Sequence, residues 1–227
     1  MCLSNFGAEK ATGKILVFLD SDTYLGPDTL CHCVREFDLR QDVGGVAFKV
    51  IDPKDGRIVF PFREELVGDP CFYHSFMGCA YAFRKEVFLS AGKYDEDLPI
   101  YGTEEDISVR VLDLGYQIKY VPQCVAYHEG GHPKYNRPAL FMESIVANTS
   151  WHFIHYYPFQ FMVLYAAKDV LKKSNKAFSN GTFRSFCRGL VRGLRYIPRE
   201  WRKRKVSPYW NWVDLYMHVF GKQICHH

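Results

Sequence analysis

The stretch KILVFLDSD, Lys14 to Asp22, decides how the rest of the chain is read. Its first six residues are mostly apolar and rich in strand formers, and the run stops abruptly at two carboxylates one residue apart. That is the pattern of a buried strand whose C-terminal end meets solvent. In an open α/β sheet, ligands bind outside the carboxyl ends of the strands. Asp20 and Asp22 at such an edge suit a hard cation and the diphosphate oxygens it carries. A turn with helix-capping acids has the same composition, so the pair alone admits both readings.

Working outward, Pro27 stands where a helix would begin. Leu30, Val34 and Phe37 follow at helical spacing and predict an amphipathic helix from Asp28 to Leu39. Gly44 to Ile51 reads as a second strand, and Asp52 to Gly56 as the turn into Arg57 to Phe62, a hairpin. Met77 to Phe83 is small and apolar and leads to a helix carrying Val87 and Phe88, stopped by Gly92. Glu105 to Leu114 reads as a helix capped by Gly115, and Gln117 to Val121 as a strand extended by Cys124 to Tyr127. Strands alternating with helices define an α/β domain. From Pro138 onward the pattern is helical, aromatic and basic, with loop signals from Ser174 to Gly181. A boundary near residue 135 separates 1–135 from 136–227.

Two further groups carry chemistry. Gly102, Thr103, Glu104, Glu105 and Asp106 open a helix in which Arg110 lies four residues beyond Asp106, within pairing reach. Such acids complement the helix dipole, and the first turn of a helix also presents a carboxylate rigidly enough for a general base. Spacing and charge do not say which of the three acids takes that role. His128, in the string AYHEGGH, ends the strand that begins at Gln117; His132 is a second candidate. A strand-end histidine is structural unless the fold sets it beside Asp22.

The 227 residues, 48% hydrophobic and 24% charged, suit one α/β domain with an appended segment. A formal net charge of +4 points to no nucleic-acid partner. Eight scattered cysteines, with Cys31 and Cys33 too close for a zinc knuckle or redox motif, read as reduced and mostly buried. Met1 to Gly7 has neither the basic nor the apolar region of a secretory signal, so the default expectation is cytoplasmic. The most hydrophobic stretch, Phe153 to Ala167, is broken by His155, Pro158 and Gln160, and no spanning helix is expected.

With these residues in place, the sequence resembles the family 2 glycosyltransferases. The segment NFGAEKATGKILVFLDSDTYLGPDTL resembles the part of that family that carries the metal-binding acids. FMGCAYAFRKEVFLSAGKYDEDLPIYGTEEDISVRVLDLGYQIKYVPQCVAYHE resembles its acceptor-side block. The resemblance implies a GT-A-like, Rossmann-like mixed sheet flanked by helices, with a C-terminal helical basic extension. It implies transfer of a sugar from a nucleotide diphosphate sugar to a glycan or lipid-linked acceptor, with inversion and with Mg²⁺ or Mn²⁺. Asp20 and Asp22 fall on the family's two aspartates, His128 on its further metal ligand and Gly78 on the glycine ahead of the acceptor-site strand. Asp106 falls on the catalytic base, with Glu105 beside it. The opening strand of the type VSVVIPTYN, and the helix and acidic strand after it, are not matched. Met1 to Gly7 falls about where the third strand of the fold would end, so the expected sheet is N-terminally truncated. A catalytically silent remnant acting as a binding or assembly module is the competing reading.

Between Thr182 and Lys205 nine basic residues face the single acid Glu200. Phe183, Phe186, Leu190, Val191, Leu194, Ile197 and Trp201 recur among them at helical spacing. A helix of this kind suits the surface of an anionic membrane, at the inner face of the cell membrane for an enzyme of surface polysaccharide synthesis. A helix packed on the domain with a solvated basic rim has the same pattern.

Overall fold

The computed structural model describes residues 3–61, 67–73, 75–98, 101–130 and 137–208. Among them the chain runs α1 (Leu3–Lys10), β1 (Ile15–Leu19), β2 (Thr23–Leu25), α2 (Thr29–Leu39), β3 (Val43–Ile51), β4 (Ile58–Phe60), β5 (Cys71–Tyr73) and β6 (Ala80–Arg84). It continues through α3 (Lys85–Ser90), α4 (Thr103–Asp113), β7 (Gln117–His128), α5 (Pro138–Tyr156), α6 (Phe159–Ser179) and α7 (Phe183–Lys203). His132 and Phe62 lie outside the described residues.

The strands form one mixed seven-stranded sheet in the order β1-β6-β3-β7-β2, with β4 added on β3 and β5 on β7. β3 and β7 run parallel, and every other pair is antiparallel. Phe48, Val50, Ile118 and Tyr120 on this central pair are fully buried, as expected of strands covered on both faces. The β3–β4 hairpin pairs Ile51 with Ile58. Gly115, at φ 86°, closes α4 in the left-handed conformation that a side chain resists, and the chain returns as β7.

Three expectations change. The run KILVFL is not a buried strand: β1 lies at the edge of the sheet, where only Leu16 is buried and Val17 and Leu19 are exposed, so its apolar composition does not reflect cover on both faces. The opening residues form a helix, α1, and not the end of a strand. Their sequence, LSNFGAEK, has no β-branched residue, and Asn5 is buried with both ends of its amide used. It donates to Tyr94 O at 2.9 Å and accepts from Tyr94 N at 2.9 Å. The predicted loop from Ser174 is the last turns of α6, where Ala177 is fully buried and Lys173 donates to Thr149 Oγ1 at 2.6 Å. Packing outweighs the polar composition there.

The chain divides into two compact units. In described residues, one comprises 3–61, 67–73, 75–96 and 104–130 and the other 97–98, 101–103 and 137–208. In the second, α7 packs on α5 through Gly189 and Gly193. A Cβ at Gly189 would stand 2.6 Å from Glu143 O, and one at Gly193 2.8 Å from Ser150 Cβ, so the helices approach at backbone distance. No described helix is long and apolar enough to cross a membrane.

Candidate active site

β1 ends at Leu19, paired with Ala80 of β6, and the chain turns through Asp20, Ser21 and Asp22 into β2. Backbone bonds hold this turn. Asp20 N donates to Cys79 O at 3.0 Å, Thr23 N to Asp20 O at 3.1 Å, and Glu129 N to Asp22 O at 2.9 Å. β2 lies antiparallel to the end of β7 with Thr23 opposite His128. This register brings a residue more than 100 positions away beside the turn.

His128 Nε2 consequently stands 3.4 Å from Asp22 Oδ1. One ligand atom from each of Asp20, Asp22 and His128 lies within 4.8 Å of the other two. Both carboxylates are exposed and the imidazole is buried. Partial desolvation raises the Asp20 carboxyl above its usual range, the Asp22 charge adds to this, and His128 opposes it. Burial pushes the neighbouring Cys79 thiol up to about 12, with the Asp20 charge contributing.

Gly130 belongs to this site. A Cβ there would overlap Asp22 Oδ2 and stand 3.0 Å from His128 Nε2. Sequence reasoning passed over it; its signal is a glycine two residues beyond the histidine in AYHEGGH. The set fits a divalent ion: carboxylate oxygens suit Mg²⁺ and Mn²⁺ alike, and an imidazole nitrogen tilts the choice toward Mn²⁺.

The acids of α4 separate by helix phase. Asp106 is 1% exposed and paired with Arg110, whose other nitrogen donates to Ala91 O just after α3. This carboxylate fastens α4 to the end of α3. For Asp106 to serve as the expected general base, its enclosed carboxylate would have to leave Arg110 and become open to an acceptor hydroxyl. Glu105 is exposed, and Glu104 is half-buried. A Cβ at Gly78 would overlap the Glu104 carboxylate, so the glycine exists to admit that side chain. The next residue is Cys79, whose carbonyl accepts the Asp20 amide, so Glu104 borders the same rim as the acidic turn.

The fold is that of the GT-A glycosyltransferases. It is similar to a mannosyltransferase, PcManGT of Pyrobaculum calidifontis, solved with GDP-Man and Mn²⁺. The identity is 16% and the TM-score 0.52, over 84% of this chain and 65% of that one. It is also similar to S. aureus TarS 1–349 solved with UDP-GlcNAc, with 13% identity and a TM-score of 0.55 over 95% of this chain and 66% of that one. The chain thus spans about two thirds of the length of these two structures. Residues 4–88 match the family profile described as glycosyl transferase family 2, and they include the acidic turn and Gly78.

Proposed function

We propose that this chain provides the metal-binding and acceptor-side machinery of an inverting glycosyltransferase. Its donor is a nucleoside diphosphate sugar, and its acceptor is a hydroxyl of a glycan or lipid-linked saccharide. The observation that carries this reading is the Asp20, Asp22 and His128 cluster at the carboxyl end of β1, with Glu104 bordering the same rim. Nucleotide sugars in both solved relatives, and Mn²⁺ in one, support it.

Asp22 and His128 would hold the ion, with Asp20 serving the ion's shell or the donor ribose. The ion, when bound, neutralises charge on the departing diphosphate. The chain's remaining task is to take a proton from the acceptor hydroxyl. Of the three acids of α4, Glu104 fits best, since it is partly open, rigidly held on a helix and seated against Gly78. A single base is sufficient when attack comes opposite the leaving group, which inverts the anomeric carbon. Asp106 acts at one remove, fixing the helix that presents Glu104.

Incubation of the protein with Mn²⁺ and a panel of UDP-, GDP- and dTDP-sugars, with release of nucleoside diphosphate as readout, tests this function. Release that needs Mn²⁺, selects one donor and stops with EDTA is expected. A protein that binds neither Mn²⁺ nor any nucleoside diphosphate would instead be the silent module.

A further inference from the structure

The helical unit carries an exposed apolar surface that the transfer chemistry does not use. On α6 the exposed positions Phe159, Val163, Leu164, Leu171 and Phe178 recur at helical spacing. The adjoining strip of the same helix holds Lys168, Lys172 and Lys176, each exposed and four residues apart. α7 repeats the design. Its buried face, with Ser185, Phe186, Gly189, Gly193 and Glu200, faces inward, and α7 packs on α5 through the two glycines. Phe183, Val191, Leu194, Ile197 and Trp201 remain exposed. Arg184, Arg188, Arg195 and Arg202 form the exposed strip beside them.

The two stripes are joined. Phe159 at the start of α6 meets Trp201 near the end of α7, with ring centroids 6.3 Å apart, and Phe178 meets Phe183 at the other end, also at 6.3 Å. α6 and α7 are therefore antiparallel neighbours whose apolar stripes are linked at both ends and bordered by basic residues. Lys172, Lys176, Arg184, Arg195 and Arg202 make no ion pair among the described residues.

We propose that the α6–α7 hairpin is a docking surface for an anionic lipid bilayer, lying in the interface with its apolar stripes among the acyl chains and its basic strips among the headgroups. Charge complementarity selects this occupant. An apolar face meant for another protein core gains nothing from a border of exposed cations, whereas an interfacial helix needs both features. Trp201, at one end of the hairpin, carries an indole N–H that suits the headgroup boundary. This inference is independent of the transfer reaction.

The full chain is tested by co-sedimentation with vesicles of phosphatidylcholine alone and of phosphatidylcholine with phosphatidylglycerol, at low and high salt. Binding to the anionic vesicles that weakens with salt is expected. The double variant K172Q/R195Q should bind about 25-fold more weakly, roughly fivefold per charge. L171S/L194S, substituted at exposed positions, should lose binding at low salt as well while keeping its helical circular dichroism. No binding to anionic vesicles at low salt overturns the proposal, as does equal binding by all three proteins. A dimer in sedimentation equilibrium that L171S/L194S dissociates, without vesicle binding, would make the face an interface between two copies.

Discussion

His128 Nε2 stands 3.4 Å from Asp22 Oδ1 because β2 pairs with the far end of β7, placing Thr23 directly opposite His128. Two short backbone bonds, Asp20 N to Cys79 O and Glu129 N to Asp22 O, keep the acidic turn and the strand end from drifting apart. The pair is thus preorganised by the sheet, and its weak point is the loss of either donor atom.

Asp22→Asn and His128→Ala should each weaken Mn²⁺ binding by about 100-fold, as expected when a ligand is removed and not merely a supporting group. Electron paramagnetic resonance of free Mn²⁺ measures this without any need for turnover. Retained affinity in both variants would move the ion elsewhere.

Gly130→Ala places a methyl group against the Asp22 carboxylate and 3.0 Å from His128 Nε2. The expected result is Mn²⁺ affinity lowered about 10-fold or more with little change in melting temperature, because the obstruction is local to a half-buried turn at the sheet edge. Calorimetric titration and a thermal melt on the same sample separate the two quantities.

The legible parts of this molecule were those where a local pattern matches its environment. KILVFL forms a strand that ends in acids at solvent, and Leu30, Val34 and Phe37 keep helical spacing; burial was less legible, since Val17, Leu19, Leu30 and Val34 are exposed and only Leu16 and Phe37 of these reach the core. Pairing of Asp106 with Arg110 was also readable, since four residues on a helix suffice. Its burial was not, because it depends on the tertiary packing around α4, of which the Arg110 bond to Ala91 O is one visible part. The choice among Glu104, Glu105 and Asp106 turns on helix phase relative to Gly78, and three adjacent acids carry no such information. α1 was missed for a similar reason, since Asn5 finds its partner at Tyr94, 89 residues away.

His152, deep in the helical unit, gives that unit an acid limit. Burial lowers its pKa to about 3, with the nearby positive charges of His155 and Lys173 adding to the effect. The folded state therefore keeps His152 neutral, while the unfolded chain takes up a proton below about 6.5. As pH falls from about 6.5 toward 3, protonation favours the unfolded chain, and stability drops by about 1.4 kcal/mol per pH unit for this one proton. Above 6.5 His152 contributes no slope. Melting temperature measured from pH 8 to 4 should show the decline, and His152→Gln should flatten it. Parallel curves for the two proteins would assign the acid sensitivity to other groups.

The last prediction separates the two acids that the sequence leaves tied. Glu104→Gln preserves the shape of the side chain against Gly78 but cannot take a proton, so turnover should fall about 100-fold or more with little change in donor affinity. Asp106→Asn should act differently. The Arg110 guanidinium would keep its bond to Ala91 O but lose its ion pair with a carboxylate that is 1% exposed. Breaking such a pair costs about 3 kcal/mol, which lowers the melting temperature and disturbs the start of α4. The two variants are compared by thermal melt, and by turnover at a temperature where both remain folded. A stable Asp106→Asn protein with turnover reduced 100-fold, beside an active Glu104→Gln, would return the base to Asp106 and require α4 to open during the reaction. The opposite pattern makes Glu104 the proton acceptor and Asp106 the residue that holds it in place.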